Sequence, residues 1–343
     1  MKKTIIFAAA ALVAMASCTK TQSVQSPAAN NQIPMRFSQY IGRPANPATK
    51  GEDIVAGALQ SGSISVIGWT KTAQYFASTT FTWKAGASQN YFISNPVYYW
   101  PLETTSGTIY PMSFYAVRNG ATHAAPAGFK ADGSNHAIIE NYTIPAAVAD
   151  QKDLLVASVG ADAYPASAAE ATKALIFKHA LSKVNFRTMV ASAPAAGETA
   201  NPDDATKNFV YEITKFEVKV PNSVGTYTFD NTVGNYGTWA LASPATAITS
   251  DYLKDGDTKA DISNENYFAW EATDNMNLYE LPQTGAVEIT IAYKVYADTV
   301  VLADFTAKGD ERTVTINLGG STGDIATAAW EAGYAYTYNL ILP

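Results

Sequence analysis

Gly319-Gly320-Ser321-Thr322-Gly323 matches the G-x-S-x-G pattern of a serine nucleophile set on a sharp turn, and it follows an apparent strand. That chemistry needs an acid and then a histidine later in the chain, the histidine taking the hydroxyl proton. The three histidines, His123, His136 and His179, all precede the serine. The segment therefore reads as a turn. Asp255, Asp257, Asp261 and Glu265 gather oxygens suited to a hard cation, and they are a weak metal candidate. Their spacing is not that of an EF-hand loop, and Asp-Gly-Asp is common turn chemistry. No two histidines share a spacing that would put both on one strand or helix face. His179, inside an apolar segment, reads as a hydrogen-bonded structural residue. There is no glycine-rich phosphate loop, and the carboxylates are too scattered to nominate an acid/base pair. No catalytic residue is nominated by these motifs, and no cofactor is expected.

One reactive side chain remains. Cys18 is the only cysteine in 343 residues, so a catalytic thiol, half of an intermolecular disulfide and a processing site all need weighing. Lys2 and Lys3 form a positive start, and Ile5 to Ala16 form an apolar run ending in small residues. That run is too short to span a bilayer core of roughly 30 Å as a helix, but it suits a signal-peptide core. Met15-Ala16-Ser17-Cys18 resembles the lipobox of bacterial lipoproteins, in which the cysteine is diacylated and becomes the first residue. An ordinary secretory signal with an incidental cysteine is the competing reading. Either way the chain is expected to be exported, and residues 1–17 stand outside the fold.

Beyond the signal there is no cysteine, hence no internal disulfide and no thiolate metal site. Core packing must hold the fold, and a chain of this length predicts two domains of about 150 residues. Charged residues make up only 15 % and aromatics 12 %, a balance that suits a β-rich extracytoplasmic protein. A net charge of −7, with no basic run, argues against nucleic acid as a partner.

The elements read as short strands. Residues 19–31 form a polar tether. In "QIPMRFSQYIG", Ile33, Met35, Phe37 and Ile41 alternate with Pro34, Arg36, Ser38 and Tyr40, the period of a half-buried strand. The loop "RPANPATKGED" follows it, so this strand stands apart from the main body. "SISVIGW", "PVYYW", "MSFYAV" and "DLLVASV" are short runs separated by Gly, Asn, Pro and Ser, which predicts a sandwich rather than alternating strands and helices. Tyr98, Tyr99 and Trp100 either fill the core or present rings to a sugar, and core packing is the favoured reading. "GADAYPASAAEAT" (160–172) is the expected domain boundary. In "KALIFKHALSKVNFRTMV" the pattern through Leu175 and Phe177 resets at Ala180 and resumes at Val184 and Phe186. A strand with a bend or bulge is expected, with a helix as the alternative. "FVYEITKFEVKV", "VEITIAYKVYA" and "ERTVTINL" continue the series. "YAYTYNLIL" puts Tyr334, Tyr336, Tyr338, Leu340 and Leu342 on one face.

Taken in order, "IPMRF…TKGED", "ISVIGW", "FTW", "NPVYYWP", "MSFYAV", "DLLVAS", "LIFKHALSKVNF" and "WEAGYAYTYNLIL" resemble the fimbrillin family of Bacteroidetes lipoproteins, in its minor-fimbrillin-like branch. The resemblance implies an all-β chain of two tandem β-sandwich domains, transthyretin-like or Ig-like and of Greek-key type. It implies subunits of type V pili, surface fibres for adhesion and biofilm formation, exported as outer-membrane lipoproteins. It also implies that a trypsin-like protease removes the first strand, and that a strand from a neighbouring subunit fills the groove. On this sequence the removable strand is Ile33 to Ile41. The cut is expected at Lys50-Gly51 and less so at Arg43, which precedes Pro44 and so resists trypsin-like cleavage. The expected organisation is a signal (1–17), a tether with the removable strand (18–50), an N-terminal sandwich (51–165) and a C-terminal sandwich (166–343). The partners implied are other pilus subunits, a host surface protein or glycan, and the lipid on Cys18. Family stalk subunits carry a further donor segment after the strand matching "AGYAYTYNLIL"; here only Pro343 follows, so a tip or accessory place is expected over a stalk one. A cell-surface glycan-binding lipoprotein is the alternative reading.

Overall fold

Alternation of apolar and polar residues over short runs, punctuated by Gly, Pro and Asn, gives strands almost throughout. The computed structural model describes residues 33–41, 60–71, 73–85, 90–102, 111–120, 125–134, 136–160, 172–190, 208–230, 237–253, 259–262, 268–269, 277–298, 311–319 and 329–342. The first nine strands are β1 (Arg36–Ile41), β2 (Ser63–Thr70), β3 (Gln74–Lys84), β4 (Tyr91–Ser94), β5 (Met112–Asn119), β6 (Phe129–Ala131), β7 (Ala137–Thr143), β8 (Leu154–Val159) and β9 (Thr172–His179). The rest are β10 (Ser182–Val190), β11 (Asn208–Val220), β12 (Val224–Thr228), β13 (Thr238–Leu241), β14 (Ile248–Leu253), β15 (Lys259–Ile262), β16 (Phe268–Ala269), β17 (Leu278–Glu280), β18 (Val287–Asp298), β19 (Arg312–Leu318) and β20 (Ala335–Leu342). A single 3-10 turn, Val148–Asp150, is the only helical element among the described residues. The fold is all-β.

Seven strands close a barrel in the order β1-β4-β3-β2-β5-β8-β9, with β9 returning to β1. Its interior is aromatic: Phe37, Phe76, Phe81, Phe92, Trp100, Phe114 and Phe177 belong to one buried cluster. Strands β2, β5 and β8 are buried on both faces. Val66, Phe114, Ala116, Leu155 and Ala157 fill the barrel, while Ile67, Tyr115, Val117, Leu154 and Val156 join a separate core outside it. This explains why "SISVIGW", "MSFYAV" and "DLLVASV" are continuous apolar runs, since a strand covered on both sides has no polar face to alternate. Gly68 on β2 leaves room for a ring: a Cβ there would lie 2.5 Å from Cε1 of Phe76.

A four-stranded sheet, β13-β12-β7-β6, forms that outer core with Phe129, Ile139, Tyr142 and Tyr227. Its central pair joins β7 to β12, from Val224↔Thr143 to Thr228↔Ile138. Residues on either side of the 160–172 stretch thus share one sheet. The apolar pattern resets at Ala180 because the chain changes sheets there. Instead of one bent strand or a helix, β9 ends in the barrel and β10 begins in the next layer, with Ala180 and Leu181 buried between them. The "PVYYW" run, Pro96 to Trp100, carries one isolated bridge, Pro34↔Tyr99, where a strand was expected.

The C-terminal sandwich packs β10, flanked by β16, β17 and β20, against the sheet β14-β11-β18-β19, with β15 also on β11. Val184, Phe186, Ile213, Phe216, Val218, Ile289 and Ile291 are in its core. β20 runs parallel to β10 from Lys183↔Ala335 to Val190↔Leu342. Asn222 and Gln283 clasp the β13-β12-β7-β6 sheet to this sandwich: the Asn222 N–H donates to Gln283 Oε1 at 3.0 Å, and Gln283 Nε2 donates to Asn222 O at 3.0 Å.

Candidate functional site

The segment from Ile33 to Ile41 enters the barrel from outside the strand sequence that builds the rest of it. Pro34, which has no N–H to offer a ladder, stands just before β1 and makes the bridge to Tyr99. The Met35 N–H donates to Tyr98 O at 2.8 Å, and the Trp100 N–H donates to Ile33 O at 2.9 Å. β1 then lies parallel to β9 over a full ladder, Arg36↔Thr172 to Ile41↔Phe177. On its other flank the register with β4 is the single pair Phe37↔Phe92. β1 is therefore the stave that closes the barrel, and taking it out leaves β4 and β9 as two facing open edges.

Met35 and Phe37 are fully buried. The Phe37 ring meets Phe81 edge-on at 5.1 Å and Phe114 at 4.9 Å between centroids, a geometry that favours aromatic pairs beyond the area they bury. Ile33 is half-buried against the same cluster. Gln39 is the next position in the inward phase, and both polar atoms of its amide are buried without a hydrogen-bond partner among the described residues. On the outer face the Arg36 guanidinium lies 4.5 Å from the Tyr91 ring centroid, a cation–π contact.

The other residues singled out from the sequence are distributed as follows. Cys18, Arg43, Lys50, Gly51, Asp255, Asp257, Glu265, Ser321 and His123 lie outside the described residues, and Asp261 falls within β15. Among the described residues no three His, Cys, Asp or Glu side chains group to hold a metal ion. Trp100 is 2 % exposed and faces Phe114 edge-on at 5.4 Å, so it is a core residue and offers no ring to a sugar. Tyr336 and Tyr338 pack against the C-terminal core, where Leu340 and Leu342 are buried. Tyr338 stacks on Phe186 and accepts a hydrogen bond from Trp330 Nε1 at 3.0 Å. Tyr334 precedes β20, and its carbonyl accepts the Lys183 N–H at 2.9 Å.

A polar constellation sits where the barrel, the β13-β12-β7-β6 sheet and the C-terminal sandwich meet, and of its members only His179 was expected from the sequence, as a hydrogen-bonded structural residue. His179 Nδ1 and Asp153 Oδ2 are 2.7 Å apart, which makes this histidine a structural tie between the end of β9 and the start of β8. Gln151 Nε2 donates to Pro145 O at 3.0 Å and Ser250 Oγ at 3.2 Å, while its Oε1 accepts the Tyr279 N–H at 2.8 Å. Glu280, next to Tyr279, is fully buried, and neither carboxyl oxygen has a partner among the described residues. Burial pushes its carboxyl up to about 8, and nearby Gln151 relieves part of that shift. Both amide hydrogens of Gln151 are already committed, so the relief is small. Tyr142 is pushed well above the usual phenol range by burial first, with Asp153 and Glu280 adding to it. Apart from His179, no sequence pattern announces this group, because its members come from β7, the turn before β8, β9, β14 and β17.

The profile of the fimbrillin-like family matches residues 55–343. Among solved structures, a fimbrial protein from Bacteroides vulgatus is 14 % identical, with 91 % of this chain and 95 % of that chain covered and a TM-score of 0.49. The fimbrial anchor protein Mfa2 from Porphyromonas gingivalis is 12 % identical, with 76 % and 77 % covered and a TM-score of 0.33. No curated protein matches the chain.

Proposed function

The chain belongs to the fimbrillin-like family, and from that premise we propose that it is a structural, adhesive and non-enzymatic pilus subunit, assembled when β1 is cut away and replaced by a strand from another subunit. The observation that carries this reading is β1 itself. It closes the barrel and, with Met35 just before it, plugs the interior through Phe37; one flank is a full parallel ladder, while the other has the single β4 pair Phe37↔Phe92 and the bridge of Pro34 to Tyr99 with its two flanking hydrogen bonds. Its removal exposes unpaired backbone groups beside an aromatic groove, a ready template for an extended segment. Export as a lipoprotein through Cys18 delivers the precursor to the outer membrane. Cleavage at Lys50-Gly51 then separates the lipid and β1 from the body.

A tip or accessory place in the fibre is supported by β20. It is paired to β10 along its whole length, and its withdrawal to serve as a donor would uncover Leu340 and Leu342. Limited trypsin digestion of the purified precursor tests the reading. It is expected to leave a stable body beginning at Gly51, while Lys50→Ala blocks that product. Digestion that degrades the body, or a Lys50→Ala protein trimmed at the same place and rate, overturns the cleavage proposal.

A further inference from the structure

We propose that the groove position filled by Gln39 selects the replacing strand: it accepts an aliphatic side chain from a strand of another subunit, and Gln39 keeps β1 displaceable. This inference rests on the strand-exchange reading above.

Five positions at spacing two share one phase along the segment, namely Ile33, Met35, Phe37, Gln39 and Ile41. Four are apolar and one is a primary amide. In the ladder Gln39 stands opposite Leu175, which is fully buried in the barrel cluster. The amide oxygen and nitrogen are both shut from water with no partner among the described residues. An apolar side chain of similar size loses nothing in that place, whereas an amide gives up its hydration without compensation. β1 therefore combines a tight aromatic plug, Phe37, with a mismatched neighbour two residues on. That pairing suits a strand that must hold the barrel closed and later leave.

β20 shows what a matched occupant looks like. Its segment likewise has five positions at spacing two, Tyr334, Tyr336, Tyr338, Leu340 and Leu342, and it runs parallel to β10 as β1 runs parallel to β9. Laid on β1 in that sense, Tyr338 takes the place of Phe37, and Leu340 takes that of Gln39. The preferred occupant is thus an extended strand with an aromatic third inward residue and an aliphatic fourth.

The test uses the full chain with a specific protease site introduced between residues 43 and 51, cut so that residues 33–41 stay bound. Displacement of that segment by a fluorescent peptide of residues 334–342 is followed over time, for the wild type and for Gln39→Leu. Gln39→Leu is expected to slow displacement by roughly tenfold or more, from the loss of one orphaned buried amide. A peptide carrying Leu340→Gln is expected to bind the emptied wild-type groove roughly tenfold more weakly. Displacement at equal rates in the two proteins, with both peptides binding alike, overturns the role of Gln39 and leaves strand exchange standing. If the cut segment is never displaced from either protein, the strand-exchange reading fails, and this inference with it.

Discussion

Replacing Glu280 by glutamine should remove a pH dependence of stability that the wild-type protein carries in the neutral range. The carboxyl is fully buried on β17 without a hydrogen-bond partner among the described residues, and burial pushes its pKa from 4.5 up to about 8. Between those values the unfolded chain releases the proton and the folded chain keeps it. Stability therefore falls as pH rises across that window, by about 1.4 kcal/mol per pH unit from this one group. Above about pH 8 the carboxylate is charged in both states, and the loss levels off at roughly 3–6 kcal/mol in total. Glutamine keeps the shape and cannot ionise. Urea unfolding of both proteins at pH 5, 6, 7, 8 and 9 isolates the contribution, because charges elsewhere cancel in the difference. The stability gap is expected to widen in favour of Glu280→Gln from pH 5 to about pH 8 and then stay constant. A gap independent of pH would refute the reasoning and mean that Glu280 finds water or a partner that keeps it an ordinary carboxylate.

Phe37→Ala empties the space between Phe81 and Phe114 and is expected to destabilise the uncut protein by about 3–5 kcal/mol; a loss below about 1 kcal/mol in urea unfolding would show that β1 does not plug the barrel. Gly68→Ala drives a Cβ to within 2.5 Å of the Phe76 ring and is expected to cost about 1–3 kcal/mol through overpacking, restored in part by adding Phe76→Leu. An unchanged melting temperature in the single variant would contradict that contact.

The strand content was legible because it is a local property. Period-two runs such as Met35 and Phe37, or Leu340 and Leu342, identify their buried face without reference to anything distant. The reset at Ala180 was visible too, but its cause was not, since a bulge within a sheet and a change of sheet interrupt the pattern alike. The candidate site was half legible. The alternating run from Ile33 to Ile41 names its apolar positions, whereas the part played by Gln39 depends on which strands lie beside its amide.

The amino-acid sequence by itself determined that the chain is all-β and that an alternating strand, found at Arg36–Ile41, lies near its start. Only the tertiary structure decided that this strand closes a barrel, that β2, β5 and β8 are covered on both faces, and that Trp100 is core. It alone brought Asp153, His179, Gln151 and Glu280 to one buried junction. The physical reason is separation along the chain. Phe37 pairs with Phe92 on one flank and Lys173 on the other, and contacts over such distances arise from closure of the whole sheet. A residue's own neighbours in sequence reveal which way it points, whereas closure decides what it meets.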